Sequence, residues 1–162
     1  SGGGVLSNFP SPDSLASMVN SVTTTMMNVK FALVARPALV EHLELISREV
    51  GPFPMALRGT GTFRPVSDVV FVQVARGISG CERLEQRIRS GEYAGALAFP
   101  YHPHVTVAHD VDEAELDRAF DDLADFRADF EVEEIWLYEQ DAVSGQWRAV
   151  RSFRLTGEVP TR

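Results

Sequence analysis

The chain has 162 residues, of which 44% are hydrophobic and 23% charged, with a formal net charge of −8. That length fits one domain around one core, and the apolar content excludes an extended disordered polymer. The negative balance argues against sequence-independent binding to long DNA or RNA, which needs many Lys and Arg set against phosphates, but leaves open a small anionic ligand held by a few residues.

Cys81 is the single cysteine, so neither a disulfide within the chain nor a cysteine zinc site is available. No apolar run approaches the roughly 18 residues that span a bilayer, and the start lacks the basic flank and apolar stretch of a secretion signal. No membrane association and a cytoplasmic location are therefore expected.

Residues 1–10, with Ser1–Gly4 at their head, read as a flexible lead. Ser11–Pro12 is a cap followed by proline, and Leu15, Met18, Val19 and Val22 recur at helical spacing. Val29, Phe31 and Leu33 alternate with polar or small residues, which predicts a strand over 28–34. Pro37 opens a second helix with Leu39, Leu43, Ile46 and Val50 on one face, stopped by Gly51–Pro52. Met55–Thr62 and Val69–Val74 read as two strands around the Arg64–Pro65 turn, the second apolar enough to be central.

Ser79 and Glu82 have the spacing of a capping box for a helix carrying Cys81, Leu84 and Ile88. Gly91–Ala98 leads into a strand at His104. Asp112 and Glu115 cap a helix with Leu116, Ala119, Phe120, Leu123 and Ala124 on one side. Phe130, Val132, Ile135 and Leu137 fit one strand with a bulge, which Ser144–Gly145 turns into a last strand, Trp147–Leu155. Residues 156–162 read as a flexible tail.

The fold class expected is α+β in a single domain over residues 1–162. Two stretches, about 11–75 and 79–155, share the order helix, strand, helix, strand, strand at an offset near 75 residues, which suggests an internal duplication. Under that alignment Asn28 and Lys30 fall where His104 and Thr106 fall, and the two strands can meet across one cleft.

The chemistry concentrates in Phe99-Pro-Tyr-His-Pro-His-Val-Thr-Val-Ala-His-Asp110. Strand alternation turns His104 and Thr106 the same way, and that pair suits a phosphoryl oxygen: imidazole moves a proton near neutral pH and the hydroxyl donates a hydrogen bond. His102 shares their face and His109 is expected on the other. With no Glu or further His suitably placed, no metal and no cofactor are expected. Arg58 and Arg64 flank Gly59-Thr-Gly61 and are candidates to meet phosphate, although the segment lacks the length and following helix of a P-loop. Tyr101 either stacks on a base or simply packs. His42, between Glu41 and Glu44, and the acidic face at Asp117, Asp121 and Asp122 are expected to be solvated. Met26, Met27 and Trp136 are expected in the core.

Phe99–Ala108, the helix that follows, and Gly59-Thr-Gly-Thr-Phe-Arg64 ahead of an apolar strand together resemble the two-histidine phosphoesterases, which include bacterial 2′-5′ RNA ligase-like proteins and cyclic nucleotide phosphodiesterases. The resemblance implies a bilobal duplicated fold whose antiparallel sheets line a central cleft, with one His-x-Ser/Thr strand per lobe. It implies action on 2′,3′-cyclic or 2′-5′ phosphodiesters of small nucleotides or RNA ends, one histidine acting as base and the other as acid. It assigns His104 and Thr106 as catalytic, with Asn28, Lys30, Arg64, Tyr101 and His102 as candidates to bind substrate. The first motif departs from the pattern, reading Asn28-Val29-Lys30, and asparagine cannot carry a proton at neutral pH. Impaired catalysis is expected, the alternative being a weakened module that binds a nucleotide or a protein.

Overall fold

The computed structural model describes residues 36–95, 100–141 and 143–158. The predicted first helix, the strand over 28–34, Asn28, Lys30, Met26 and Met27 lie outside the described residues.

Helix α1 (Arg36–Glu49) leads to strands β1 (Phe53–Thr62) and β2 (Val69–Arg76), helix α2 (Ile78–Ile88) and a 3₁₀ turn at Gly91–Tyr93. Strand β3 (His104–His109), helix α3 (Glu113–Asp122) and strands β4 (Arg127–Val132), β5 (Glu134–Gln140) and β6 (Trp147–Arg154) complete the chain. The four strands β3-β2-β1-β4 form an antiparallel sheet in that order, while β5 and β6 form a separate antiparallel hairpin. The α+β class with antiparallel sheets is as the sequence leads one to expect. The four-stranded sheet draws β1 and β2 from one of the sequence halves and β3 and β4 from the other.

Burial follows the periodicities. Leu39, Leu43 and Ile46 of α1 and Cys81, Leu84 and Ile88 of α2 pack with Leu57, Val72, Val105 and Val132 of the sheet and with Ile135, Phe153 and Leu155 of the hairpin. Leu116 and Ala119 of α3 close over Val70 and Ala108. The helices thus cover the Leu57–Val70–Val72–Val105 side of the sheet, which leaves the other side for residues of opposite phase.

Several sequence expectations are corrected. The cap of α2 is Gly77, at φ 97°, with no side-chain hydrogen bond, so Ser79 is not a cap. A Cβ at Gly77 would stand 2.8 Å from the carbonyl oxygen of Pro54, so both the left-handed turn and the close approach require glycine here. Asp112 does cap α3, accepting from the Glu115 amide at 2.9 Å. The stretch Phe130–Leu137 is two strands, because at Glu133 the chain leaves the edge of β1 and its carbonyl accepts from Leu155 of the hairpin. Val132 and Ile135 are both buried, a spacing that one continuous alternation forbids. The start of the tail is docked: Thr156 and Gly157 donate to the carbonyls of Ser47 and Val50 at the end of α1. Trp136 lies half-buried between core residues Ile135 and Leu137, so alternation turns it away from the core, and its indole donates to Glu134 at 2.9 Å.

Candidate functional site

Strand β3 forms one edge of the sheet and pairs with β2 so that His104 stands opposite Gln73 and Thr106 opposite Phe71. Val105 between them is buried against the helices, so alternation presents His104 and Thr106 together on the side that no described helix covers. Both are half-buried.

The His104 ring is held in orientation. Its Nδ1 lies 2.6 Å from the carbonyl oxygen of His102, and since a carbonyl only accepts, Nδ1 carries the proton and donates. Nε2 is left with its lone pair, the state a general base needs. Rings enclose the imidazole: Phe63 meets it edge-on at 4.9 Å, Phe71 lies at 5.2 Å, and His102 stacks nearly parallel at 6.0 Å. Burial pushes the pKa of His104 below its ordinary value, against the opposing pull of the His102 carbonyl, and a charge on His102 pushes the same way as burial. The neutral, base-competent imidazole is therefore favoured at pH 7. Thr106 makes no side-chain hydrogen bond among the described residues, so its hydroxyl remains available to a ligand oxygen.

Phe63 and Phe71 were not among the candidates read from sequence, yet they wall the histidine. The signal for them is Gly61 in mid-strand: Gly61 pairs with Phe71, and a Cβ there would stand 2.6 Å from the Phe71 ring.

The other candidates divide. His102 joins the ring cluster and is exposed beside His104. His109 lies on the same side as His104 rather than the opposite one, because an extra residue in β3 between Thr106 and Ala108 shifts the phase and sets His109 against Val69. It pairs with Asp110 at 2.9 Å. Arg64 turns toward the helix side: it donates to Asp117 of α3 at 2.8 Å and to the Thr62 hydroxyl at 3.3 Å. That placement does not suit a phosphate at His104, and it gives the exposed Asp117 a partner.

Tyr101 packs against the main core beside Cys81 rather than lining the open side, and burial raises its pKa. Burial also pushes the Cys81 thiol up to about 12, which makes it inert as a nucleophile. His42 is half-buried rather than solvated, with Nε2 donating to the Ile88 carbonyl at 2.9 Å and its ring 4.5 Å from Tyr93.

Comparison with known proteins agrees with this arrangement. A protein named "putative phosphoesterase" from Geobacillus kaustophilus is 27% identical over 122 residues, covering 74% of this chain and 69% of that one. A protein of the same name from Halalkalibacterium halodurans is 24% identical over 132 residues, covering 75% and 71%. The crystal structure of E. coli LigT complexed with 3′-AMP superposes with a TM-score of 0.53 at 22% identity, covering 76% of this chain and 71% of that one, and so shares the fold. The profile of the 2′-5′ RNA ligase superfamily matches residues 9–144, most of the chain. With the fold and the His104–Thr106 strand in place, the chain belongs to the 2′-5′ RNA ligase superfamily.

Proposed function

We propose that this protein is a phosphoesterase acting on 2′,3′-cyclic or 2′-5′ phosphodiesters of small nucleotides or RNA ends, with His104 and Thr106 as one half of a duplicated, two-lobed site. The observation that carries the reading is the state of His104, whose Nδ1 is committed to the His102 carbonyl while Nε2, on the same face as Thr106, has no hydrogen-bond partner among the described residues. In hydrolysis of a cyclic phosphate, Nε2 takes the proton of the attacking water as its oxygen bonds to phosphorus. The bond from phosphorus to one ribose oxygen breaks, and the Thr106 hydroxyl donates to a non-bridging oxygen. The leaving ribose oxygen needs a proton from a second group. The family's second histidine is replaced at the aligned position by Asn28, so that transfer falls to water and turnover is slow. A positioned acid is worth on the order of 100 to 10,000-fold.

The nucleotides named with E. coli LigT, 3′-AMP and NADP+, are of the ligand class this reading requires. Nucleotide binding is thus expected even where turnover is weak, which is the second reading, favoured by Asn28. The test is hydrolysis of a 2′,3′-cyclic mononucleotide by the unmodified chain, by His104→Ala and by Asn28→His with Lys30→Thr. Slow turnover that vanishes in the first variant and rises in the second supports the enzyme. Nucleotide binding without turnover in any of the three supports the binding module. Turnover indifferent to His104→Ala defeats both.

A further inference from the structure

Phe71 is buried on the side of the sheet that no described helix covers. Val70 and Val72 beside it are wholly buried against the helices, so alternation turns Phe71 the other way, to the side of His104 and Thr106. It is nevertheless only 5% exposed. Among the described residues its cover is made of rings, with Phe63 at 4.5 Å, His104 at 5.2 Å and His102 at 5.6 Å.

On β1, the pairing partner of Phe71 is Gly61. A Cβ at Gly61 would stand 2.6 Å from both Cε2 and Cζ of the Phe71 ring and 3.3 Å from Cγ of Gln73, whose amide crosses to the Thr60 carbonyl at 2.8 Å. Glycine weakens a strand interior, and the backbone does not require it here, since Gly61 lacks the positive φ that Gly59 has at 59°. What the position supplies is room, and the distal edge of Phe71 fills it. The ring is stiff and enclosed by Phe63, His102 and His104, so an atom added at Gly61 passes its displacement on to the imidazoles.

We infer that Gly61 and Phe71 are positioning residues for His104: the glycine admits the ring, and the ring sets the height and tilt of the imidazole above the sheet, so that Nε2 works in register with Thr106. The inference rests on the phosphoesterase reading above. Two constraints from different parts of the chain then act on one imidazole. The His102 carbonyl fixes its rotation through Nδ1 at 2.6 Å, and Phe71 fixes its distance from the sheet. Phe71 also keeps water from the imidazole, which favours the neutral form. The titratable group that stands against His104 is His102. The other charged or titratable groups nearby are taken up elsewhere: Arg64 by Asp117 at 2.8 Å, Arg58 by Asp129 at 2.8 Å and His109 by Asp110 at 2.9 Å.

The test is a double-mutant cycle of Gly61→Ala and Phe71→Leu, with folding checked by circular dichroism. It is read by turnover of a 2′,3′-cyclic mononucleotide and, independently of turnover, by NMR titration of the His104 ring protons. Leucine lacks the ring atoms that a Cβ at Gly61 would strike. Gly61→Ala is therefore expected to lower kcat by about tenfold or more with KM little changed, yet to cost less than about threefold in the Phe71→Leu background. Phe71→Leu is expected to admit water and raise the His104 titration midpoint toward 6.5, carrying the acid limb of kcat/KM with it. Equal costs of Gly61→Ala in the two backgrounds, or a midpoint that Phe71→Leu leaves in place, overturn the positioning pair. If Gly61→Ala alone does not fold, the midpoint in Phe71→Leu decides by the same criterion. Ring-proton shifts that respond as expected in a chain whose turnover is absent, or indifferent to His104→Ala, support the positioning pair and overturn the phosphoesterase reading instead.

Discussion

His104 illustrates how a single side chain is tuned by what surrounds it. Burial among Phe63, Phe71 and His102 disfavours its charged form and prevails over the His102 carbonyl, which favours it, so the folded-state pKa lies below the ordinary value of 6.5. If His104 is the base, the acid limb of kcat/KM for a 2′,3′-cyclic mononucleotide falls below pH 6.5, and a limb above that value would remove His104 from the role. Stability follows with the same sign. The unfolded chain takes up this proton first as pH falls, so the contribution is intact above about pH 6.5 and is lost as pH drops through the folded pKa. Chemical denaturation at pH 7.5 and 5.5 should therefore show a larger loss in the unmodified chain than in His104→Gln. The pairing of His104 with Thr106 was legible in the sequence because alternation is a local property. The side of His109 and the partner of Arg64 were not, since one depends on a bulge set by pairing with β2 and the other on Asp117, 53 positions away.

At the scale of elements, the two helix starts make a controlled comparison. Asp112 accepts from the Glu115 amide, so Asp112→Ala is expected to cost about 1 kcal/mol in urea unfolding. Ser79 has the same sequence spacing to Glu82 but lies inside α2, so Ser79→Ala is expected to cost less than about 0.5 kcal/mol. Equal losses would contradict the assignment of Gly77 as the cap. Gly77→Ala carries both a left-handed φ of 97° and an approach of 2.8 Å to the Pro54 carbonyl, and is expected to cost about 2–3 kcal/mol. Gly145→Ala shares the positive φ at 71°, but its added Cβ meets nothing within 4 Å among the described residues, which predicts about 1–2 kcal/mol. Sequence spacing identified the buried positions Leu39, Leu43 and Ile46 of α1, Cys81, Leu84 and Ile88 of α2, and Leu116 and Ala119 of α3, because helical periodicity reports on burial. It misplaced the α2 cap because a glycine cap is dictated by Pro54, on another element, and it merged β4 with β5 because their division is set by β6.

For the whole molecule, the main core joins the apolar stripes of α1 and α2 to both sheets with Cys81 inside it, while α3 packs on Val70 and Ala108 in a second cluster. With its thiol pushed up to about 12, Cys81 in native protein at pH 8 should react with a chromogenic disulfide reagent far more slowly than in urea-unfolded protein. Prompt labelling without denaturant would show that α2 opens on its own. The α+β class was legible from the succession of periods, but the order β3-β2-β1-β4 was not, because nothing local in β1 announces that its second neighbour comes from so far along the chain. That same pairing bears on the order of assembly. Arg58 and Ala128 are 70 positions apart, so during synthesis the outer edge of β1 stays bare while β2, α2, β3 and α3 are made, and the sheet closes only once β4 has left the ribosome. Chains released before that point carry an uncapped strand edge, and they should self-associate through it where the full chain does not.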